Sequence, residues 1–420
     1  MDSASLVNLT PILRVMLLGL SVAVGPLAWW WLQHKGAQNH GKRLKRLQAL
    51  TVFTLFLTFD LVIFGAFTRL TDSGLGCPDW PGCYGSASPF GAQAHITAAQ
   101  NAMPTGPVTH SKAWIEMLHR YLATSVGVLI LTLTVNSWWT RYRVYRAKQQ
   151  TQQKVRVLSE FQPKTHQQIS PWWSTASLFW VSLVGAFGAL TVTLKLFPAI
   201  VTLHLLGALV LVMLLCLQAA LYAKVIGIQP QAMMSSRLRL GMIATFALLW
   251  LQIALGGWVS TNYAVLACNT FPTCQNSWWP QMDFSQGFTL WRELGLTPSG
   301  DHITFSALTA IHYAHRLVAY ALLAALAVLA WQLSKVSALQ RHARWFGGIA
   351  LWQLVTGLSN VVLDWPLIAA LSHTAGAAAL VMLMTWTLST TTADCRLNFS
   401  IPSRKPVPKP LPKPLHQRPL

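Results

Sequence analysis

Apolar residues run along this chain in blocks of about twenty or more, separated by short polar or basic stretches. Blocks of that length form helices able to cross a hydrocarbon core of roughly 30 Å. The pattern predicts spans near 11–32, 47–68, 113–139, 172–194, 198–223, 239–261, 305–333, 343–363 and 366–388. The first block is N-terminal and could be read as a signal peptide. It is long, however, has only Arg14 near its start and lacks a small-residue cleavage site, so it reads better as an uncleaved helix.

The eight later blocks divide into two units of four that echo one another. Phe64-Gly-Ala-Phe-Thr68 closes the opening helix of the first unit and Leu255-Gly-Gly-Trp-Val259 that of the second. Each unit then enters a loop with a Cys-x5-Cys pair, Cys77 to Cys83 and Cys268 to Cys274, with Pro two residues before the second Cys. A helix with a His-Arg pair follows, Glu116-x-x-His119-Arg120 and His312-x-x-His315-Arg316. Each unit closes on Pro, then His, then Gly three residues later: Pro198, His204, Gly207 and Pro366, His373, Gly376. Four helices return the chain to its starting side, so the repeats share one orientation and are related by a pseudo-two-fold axis along the membrane normal. The expected fold is an all-α integral membrane protein. Its eight-helix core consists of two tandem four-helix bundles, with an extra N-terminal transmembrane helix. The divisions are 1–46 for the extra helix and a basic loop, 47–223 and 224–388 for the two bundles, and 389–420 for a disordered, basic, Pro-rich tail.

Charge sharpens this picture. Only 10% of residues are charged, against 53% hydrophobic, where a soluble chain carries about 25% charged residues. The net charge of +20 could suggest nucleic acid. Yet most Lys and Arg fall in alternate segments, around 35–46, 141–164, 224–239, 335–344 and 396–418, while the intervening loops hold only Lys112, Lys195 and Arg292. That is the positive-inside distribution of a membrane protein, and it places the basic segments and the C-terminus in the cytoplasm. Nucleic-acid binding is excluded on this ground.

Ionisable side chains within spans are costly and functional by default. Of the 13 histidines, His119, His204, His312, His315 and His373 fall within spans. Counted from the outer helix starts, His119, His204, His315 and His373 lie roughly 9–15 Å deep at 1.5 Å per residue. Two imidazoles from different helices of each bundle could face one another at that level. Such pairs suit bis-imidazole ligation of haem iron between bundle helices. The plainer alternative is that each His merely hydrogen-bonds a neighbouring helix. Zinc or copper is a weaker choice, because two His leave a tetrahedral site half built. His312 stands where the first unit has Glu116, as a polar partner one turn from His315 or as simple packing.

Taken together, Gly65-Ala-Phe-Thr-Arg-Leu-Thr-Asp-Ser-Gly74, Cys77-Pro-Asp-Trp-Pro-Gly-Cys83, Glu116-x-x-His119-Arg120, His204, His315-Arg316 and His373 resemble the haem A synthase family, over about 47–388. The cysteine pairs resemble its bacterial form. The resemblance implies two successive hydroxylations of the C8 methyl of haem O, the second giving a geminal diol that loses water to leave the formyl group of haem A. It further implies His119 and His204 as ligands to the substrate haem O or product haem A, and His315 and His373 as ligands to a haem b cofactor. It implies a bacterial inner membrane location, with the Cys loops and haem sites towards the periplasm. Haem O synthase and cytochrome oxidase assembly factors are compatible partners, as is a homo-oligomer; the electron donor or acceptor is not indicated.

Glu116 is the clearest difference between the units. Residues three apart share a helix face, so its carboxyl is expected to point towards the same site as the His119 imidazole and to act catalytically, by handling protons or stabilising a developing cation. A carboxylate snorkelling at the membrane edge is the alternative. Arg69, Arg120 and Arg316 suit haem propionates or the interface equally and are left outside the ligand set. Disulfides are expected between Cys77 and Cys83 and between Cys268 and Cys274, because these loops face an oxidising compartment and five intervening residues permit a small ring. They would brace each loop as a lid; a redox role for the first pair is a second reading. The Trp residues near span ends form an interfacial belt, and Trp80 in the first Cys loop could cover a haem. Two rivals remain: a non-catalytic di-haem b electron carrier, which gives Glu116 no role, and a transporter of haem or another solute.

Overall fold

The computed structural model describes residues 10–33, 40–155, 169–227 and 232–394. In chain order the elements are α1 (Thr10–Gln33), α2 (His40–Leu70), α3 (Gln93–Ala102), α4 (His110–Val155), α5 (Trp172–Thr193), α6 (Pro198–Val225) and β1 (Ala232–Ser235). They continue with α7 (Ser236–Thr261), the single turn α8 (Phe284–Gly287), α9 (Phe305–Ser334), α10 (Gln340–Val362), α11 (Leu367–Thr390) and β2 (Thr391–Asp394). Among the described residues nine helices are long and apolar enough to cross a membrane. The chain is a multi-pass helical membrane protein.

Two helices outrun their expected spans. α2 starts at His40 rather than near 47, and α4 continues to Val155 rather than ending near 139. Lys, Arg and Gln are good helix formers, so neither helix needs to stop where its apolar stretch does. The expected disordered tail is corrected at its start. Residues 389–394 complete α11 and form β2, which pairs in parallel with β1, Ala232 opposite Thr391 and Ser235 opposite Asp394. Arg239 ties this junction down by donating to the carbonyls of Leu388 and Thr391. The Lys-Pro-rich remainder of the tail lies outside the described residues.

Hydrocarbon offers no partner for polar groups, so hydroxyls inside the helices bond to their own backbone. On α2, Thr51, Thr54 and Thr58 are buried, and each donates to the carbonyl four residues earlier. In the first unit α2 packs on α4 and α6, and α5 packs on α4 and α6. In the second α9 packs on α7 and α10, and α11 packs on α10; α7 and α11 touch less extensively than α2 and α6 do. The units join through the symmetric contacts α2 with α11 and α6 with α7, and through α6 against α11 on the pseudo-axis. α1 packs on α4, where Ser125 donates to the Gly19 carbonyl.

The repeat extends to backbone conformation. Asp72 and Tyr263 end the opening helices with left-handed φ, Tyr84 and Gln275 follow the second cysteine of each loop, and Lys195-Leu196 matches Asp364-Trp365 before the closing helix. Non-glycine residues rarely adopt that region, so its recurrence at matched points reflects one ancestral turn geometry used twice.

The packed core is uneven along the helices. Its main cluster, including Leu50, Leu129, Leu133, Leu215, Met242, Leu326, Phe346 and Met384, occupies the half nearer the basic segments. Smaller clusters lie under the Cys loops, one around Cys77, Cys83, Ile96 and Met117, others around Trp258 and Ile311 and around Cys268, Cys274 and Tyr313. Between these layers stand the four repeated histidines.

Candidate functional site

His119 on α4 lies close enough to His204 on α6 for the two rings to interact electrostatically, and His315 on α9 has the same relation to His373 on α11. All four are half-buried rather than sealed in the core. The other four helices each contribute one glycine to this level. A Cβ added at Gly65 on α2 would lie 3.0 Å from Cε1 of His119, and one at Gly188 on α5 would lie 3.2 Å from Cε1 of His204. The corresponding distances are 3.0 Å for Gly256 on α7 against His315 and 3.2 Å for Gly357 on α10 against His373. Every helix of the eight-helix core therefore supplies one residue, either an imidazole or the bare backbone against which an imidazole lies.

The ring nitrogens are held differently. His204 Nδ1 lies 3.0 Å from the Val184 carbonyl and His373 Nδ1 lies 3.0 Å from Thr356 Oγ1. His315 Nδ1 and Nε2 are 3.1 and 3.3 Å from the Gln252 carboxamide nitrogen. His119 Nδ1 is buried without a partner, and Phe64 stacks over that ring. Among the described residues no group of three or more His, Cys, Asp or Glu is placed to hold a metal ion. A pair of imidazoles on two helices instead suits a metal whose remaining donors come from a planar macrocycle.

Over these sites the Cys loops are fastened by one repeated device. Cys77 is bonded to Cys83 and Cys268 to Cys274. Contrary to expectation, the Glu116 carboxyl turns to the loop. Oε2 accepts the Cys77 N–H at 2.8 Å and Oε1 accepts from Arg120 Nη2 at 2.5 Å, with the residue only 4% exposed. A buried loop N–H needs an acceptor and a buried guanidinium a counter-charge, and one carboxylate satisfies both. Arg120 also donates to the carbonyls of Asp79, Pro81 and Gly82. In the second unit His312 takes the same place: Nδ1 accepts the Cys268 N–H at 3.3 Å, and Arg316 Nε lies 3.2 Å from Nε2. Arg316 then donates to the carbonyls of Thr270, Thr273 and Cys268. Both arginines thus grip the loops, and the bonds of His312 go to the Cys268 N–H and to Arg316. Arg69 bridges the units, pairing with Asp72 at 3.2 Å, donating to the Ser260 carbonyl at 2.6 Å and lying over the Tyr263 ring.

The cytochrome oxidase assembly protein family model matches residues 48–385, the whole eight-helix core. Heme A synthase of Shewanella oneidensis is 34% identical over 346 residues, covering 81% of this chain and 94% of the relative. Heme A synthase of Methylobacterium sp. strain 4-46 is 27% identical over 76% of this chain and 84% of its own, and that of Beijerinckia indica is 26% identical over 81% and 91%. The chain belongs to the haem A synthase family.

Some features of this haem A synthase family member escaped the sequence reading. Gly65 and Gly256 lay within motifs already noted, but Gly188 and Gly357 did not; extending the His204/His373 register backwards would have found them. Gln252 and Gln353, intramembrane carboxamides whose buried Oε1 atoms lack partners, were also missed, as was Asp60, exposed midway along α2. Trp80 is 45% exposed on its loop. Trp172 is exposed at the start of α5 as a belt requires, and Trp278 and Trp279 are exposed on the loop between α7 and α8, whereas Trp30 is buried, lying beneath Arg46 and donating to its carbonyl.

Proposed function

We propose that this protein is a haem A synthase that converts the C8 methyl of haem O into a formyl group by two successive hydroxylations. Haem O would be held between His119 and His204, and an electron-transferring haem b between His315 and His373. Haem b would supply one-electron chemistry when bound; the chain would supply the imidazoles of His315 and His373 to hold it, orientation and exclusion of water. The single observation carrying this reading is the recurrence of an imidazole pair, each ring against a glycine, at one level of both bundles. Family membership favours the synthase over a di-haem b carrier, which would have no need for units that differ at Glu116.

In this reading Glu116 acts where the Cys77 loop meets the helix of His119. Its bonds to Cys77 and Arg120 would hold the loop over the substrate site, and to take up or release a proton as the methyl group is oxidised the carboxyl would let go of one of them. The basic segments would face the cytoplasm and the Cys loops the periplasm of a bacterial inner membrane.

The test is to identify haems by mass in protein purified from cells that supply haem O. Wild type should yield haem A and protohaem. His119→Ala should lose the haem O and haem A fraction and keep protohaem, whereas His315→Ala should lose protohaem and, without its electron-transferring haem, hold haem O in place of haem A. Glu116→Ala should retain protohaem while haem A formation falls at least tenfold. Colourless wild-type protein would refute the haem assignment, and full synthesis by Glu116→Ala would refute the role of that carboxyl.

A further inference from the structure

The closing histidine of each bundle is held through Nδ1, but by different groups. In the first unit Nδ1 of His204 lies 3.0 Å from the Val184 carbonyl. A carbonyl oxygen has no proton to give, so His204 is the donor and carries its hydrogen on Nδ1. The register that sets His204 on His373 aligns Val184 with Gln353, Phe187 with Thr356 and Gly188 with Gly357. Gln353, Thr356 and Gly357 share one face of α10 by their spacing, and all three meet His373. The Gln353 carboxamide donates to the backbone carbonyl of His373 at 3.0 Å, Gly357 leaves room for Cε1, and Thr356 Oγ1 lies 3.0 Å from Nδ1. The Thr356 hydroxyl has a single proton, and it goes to the Trp352 carbonyl at 2.8 Å. Its oxygen therefore meets the imidazole as an acceptor. Nε2 of His373 is bonded to nothing among the described residues, and it is not sealed in the interior as His119 Nδ1 is.

We infer that Thr356 is a positioning residue for the second-unit site. Its hydroxyl oxygen accepts the Nδ1–H of His373, which fixes the tautomer and leaves Nε2 free to ligate iron. This rests on the haem reading above. The bond made by the far nitrogen of a ligating histidine sets its tautomer and ring orientation. The same bond makes the imidazole a stronger donor and so stabilises the oxidised metal. The first unit has Phe187 at this point and draws the same tautomer from a backbone carbonyl. Loss of a side-chain hydroxyl can therefore remove the bond in the second unit alone.

The experiment uses holoprotein of wild type, Thr356→Val and Thr356→Ser, with His315→Ala identifying which haem signal belongs to the second unit. Midpoint potentials and low-spin electron paramagnetic resonance spectra are measured. Val keeps the branched shape of Thr without the hydroxyl, and Ser keeps the hydroxyl. Thr356→Val should raise the potential of the second-unit haem and shift its spectrum. Thr356→Ser should leave both at their wild-type values, and the first-unit haem should stay unchanged in each variant. A potential at or below wild type in Thr356→Val, or the same shift in Thr356→Ser, would overturn the inference. If Thr356→Val binds no second-unit haem, Thr356→Ser decides alone, a wild-type potential supporting the assignment and any other result overturning it. Wild type without a second-unit haem would sink the haem reading itself.

Discussion

A glycine beneath each imidazole sets competing local effects against each other. Gly65→Ala gains about 1 kcal/mol of helix propensity but places a Cβ 3.0 Å from His119 Cε1, an overpacking that costs about 1–3 kcal/mol. Stability should therefore fall by no more than about 2 kcal/mol, while the spectrum of the haem proposed for the first unit shifts because His119 must move; an unchanged spectrum in a stable variant would remove Gly65 from the proposed site. At this scale the sequence revealed the residues whose type and spacing are unusual in a span, the histidines and the cysteine pairs. It did not reveal Gln252, whose meaning depends on a contact with His315 across two helices, or the direction of Glu116. Helical spacing places Glu116 on the face of His119, but the nearby Cys77 N–H and Arg120 decide where its carboxyl goes.

Each Cys loop is held twice, by its disulfide and by the arginine that gathers its carbonyls. Closing a ring of this size contributes about 2 kcal/mol in the chain-entropy view. Cys77→Ser with Cys83→Ser should therefore lower the melting temperature in detergent by a few degrees without releasing the loop. Rapid proteolysis between residues 77 and 86 in that variant would show that the arginine clamp does not suffice. Helix existence was legible because long apolar blocks admit few other structures in a membrane. Helix ends were not, since α2 and α4 continue on charged residues. The pairing of β1 with β2 joins segments far apart in sequence, and neither has a pattern that announces it.

Across the whole molecule, the asymmetry of basic residues predicts the orientation. With Cys395→Ser as background, a membrane-impermeant maleimide should label Gln93→Cys in intact cells and Gln340→Cys only after permeabilisation; the reverse pattern would invert the protein. The duplication was legible at this scale because four unusual features recur in order, whereas the way the halves meet required the structure. At their seam Arg69 reaches Ser260 and Asp72 accepts from Tyr263, at 2.5 Å, so positions that match in the repeat touch each other. A surface that meets its own image in this way is what two identical subunits would share. Had the halves stayed separate, each change at that seam would have appeared on both sides at once, setting arginine against arginine. Joined in a single chain, one half could change alone, which is the freedom that the proposed division between a passing guest and a permanent resident would need.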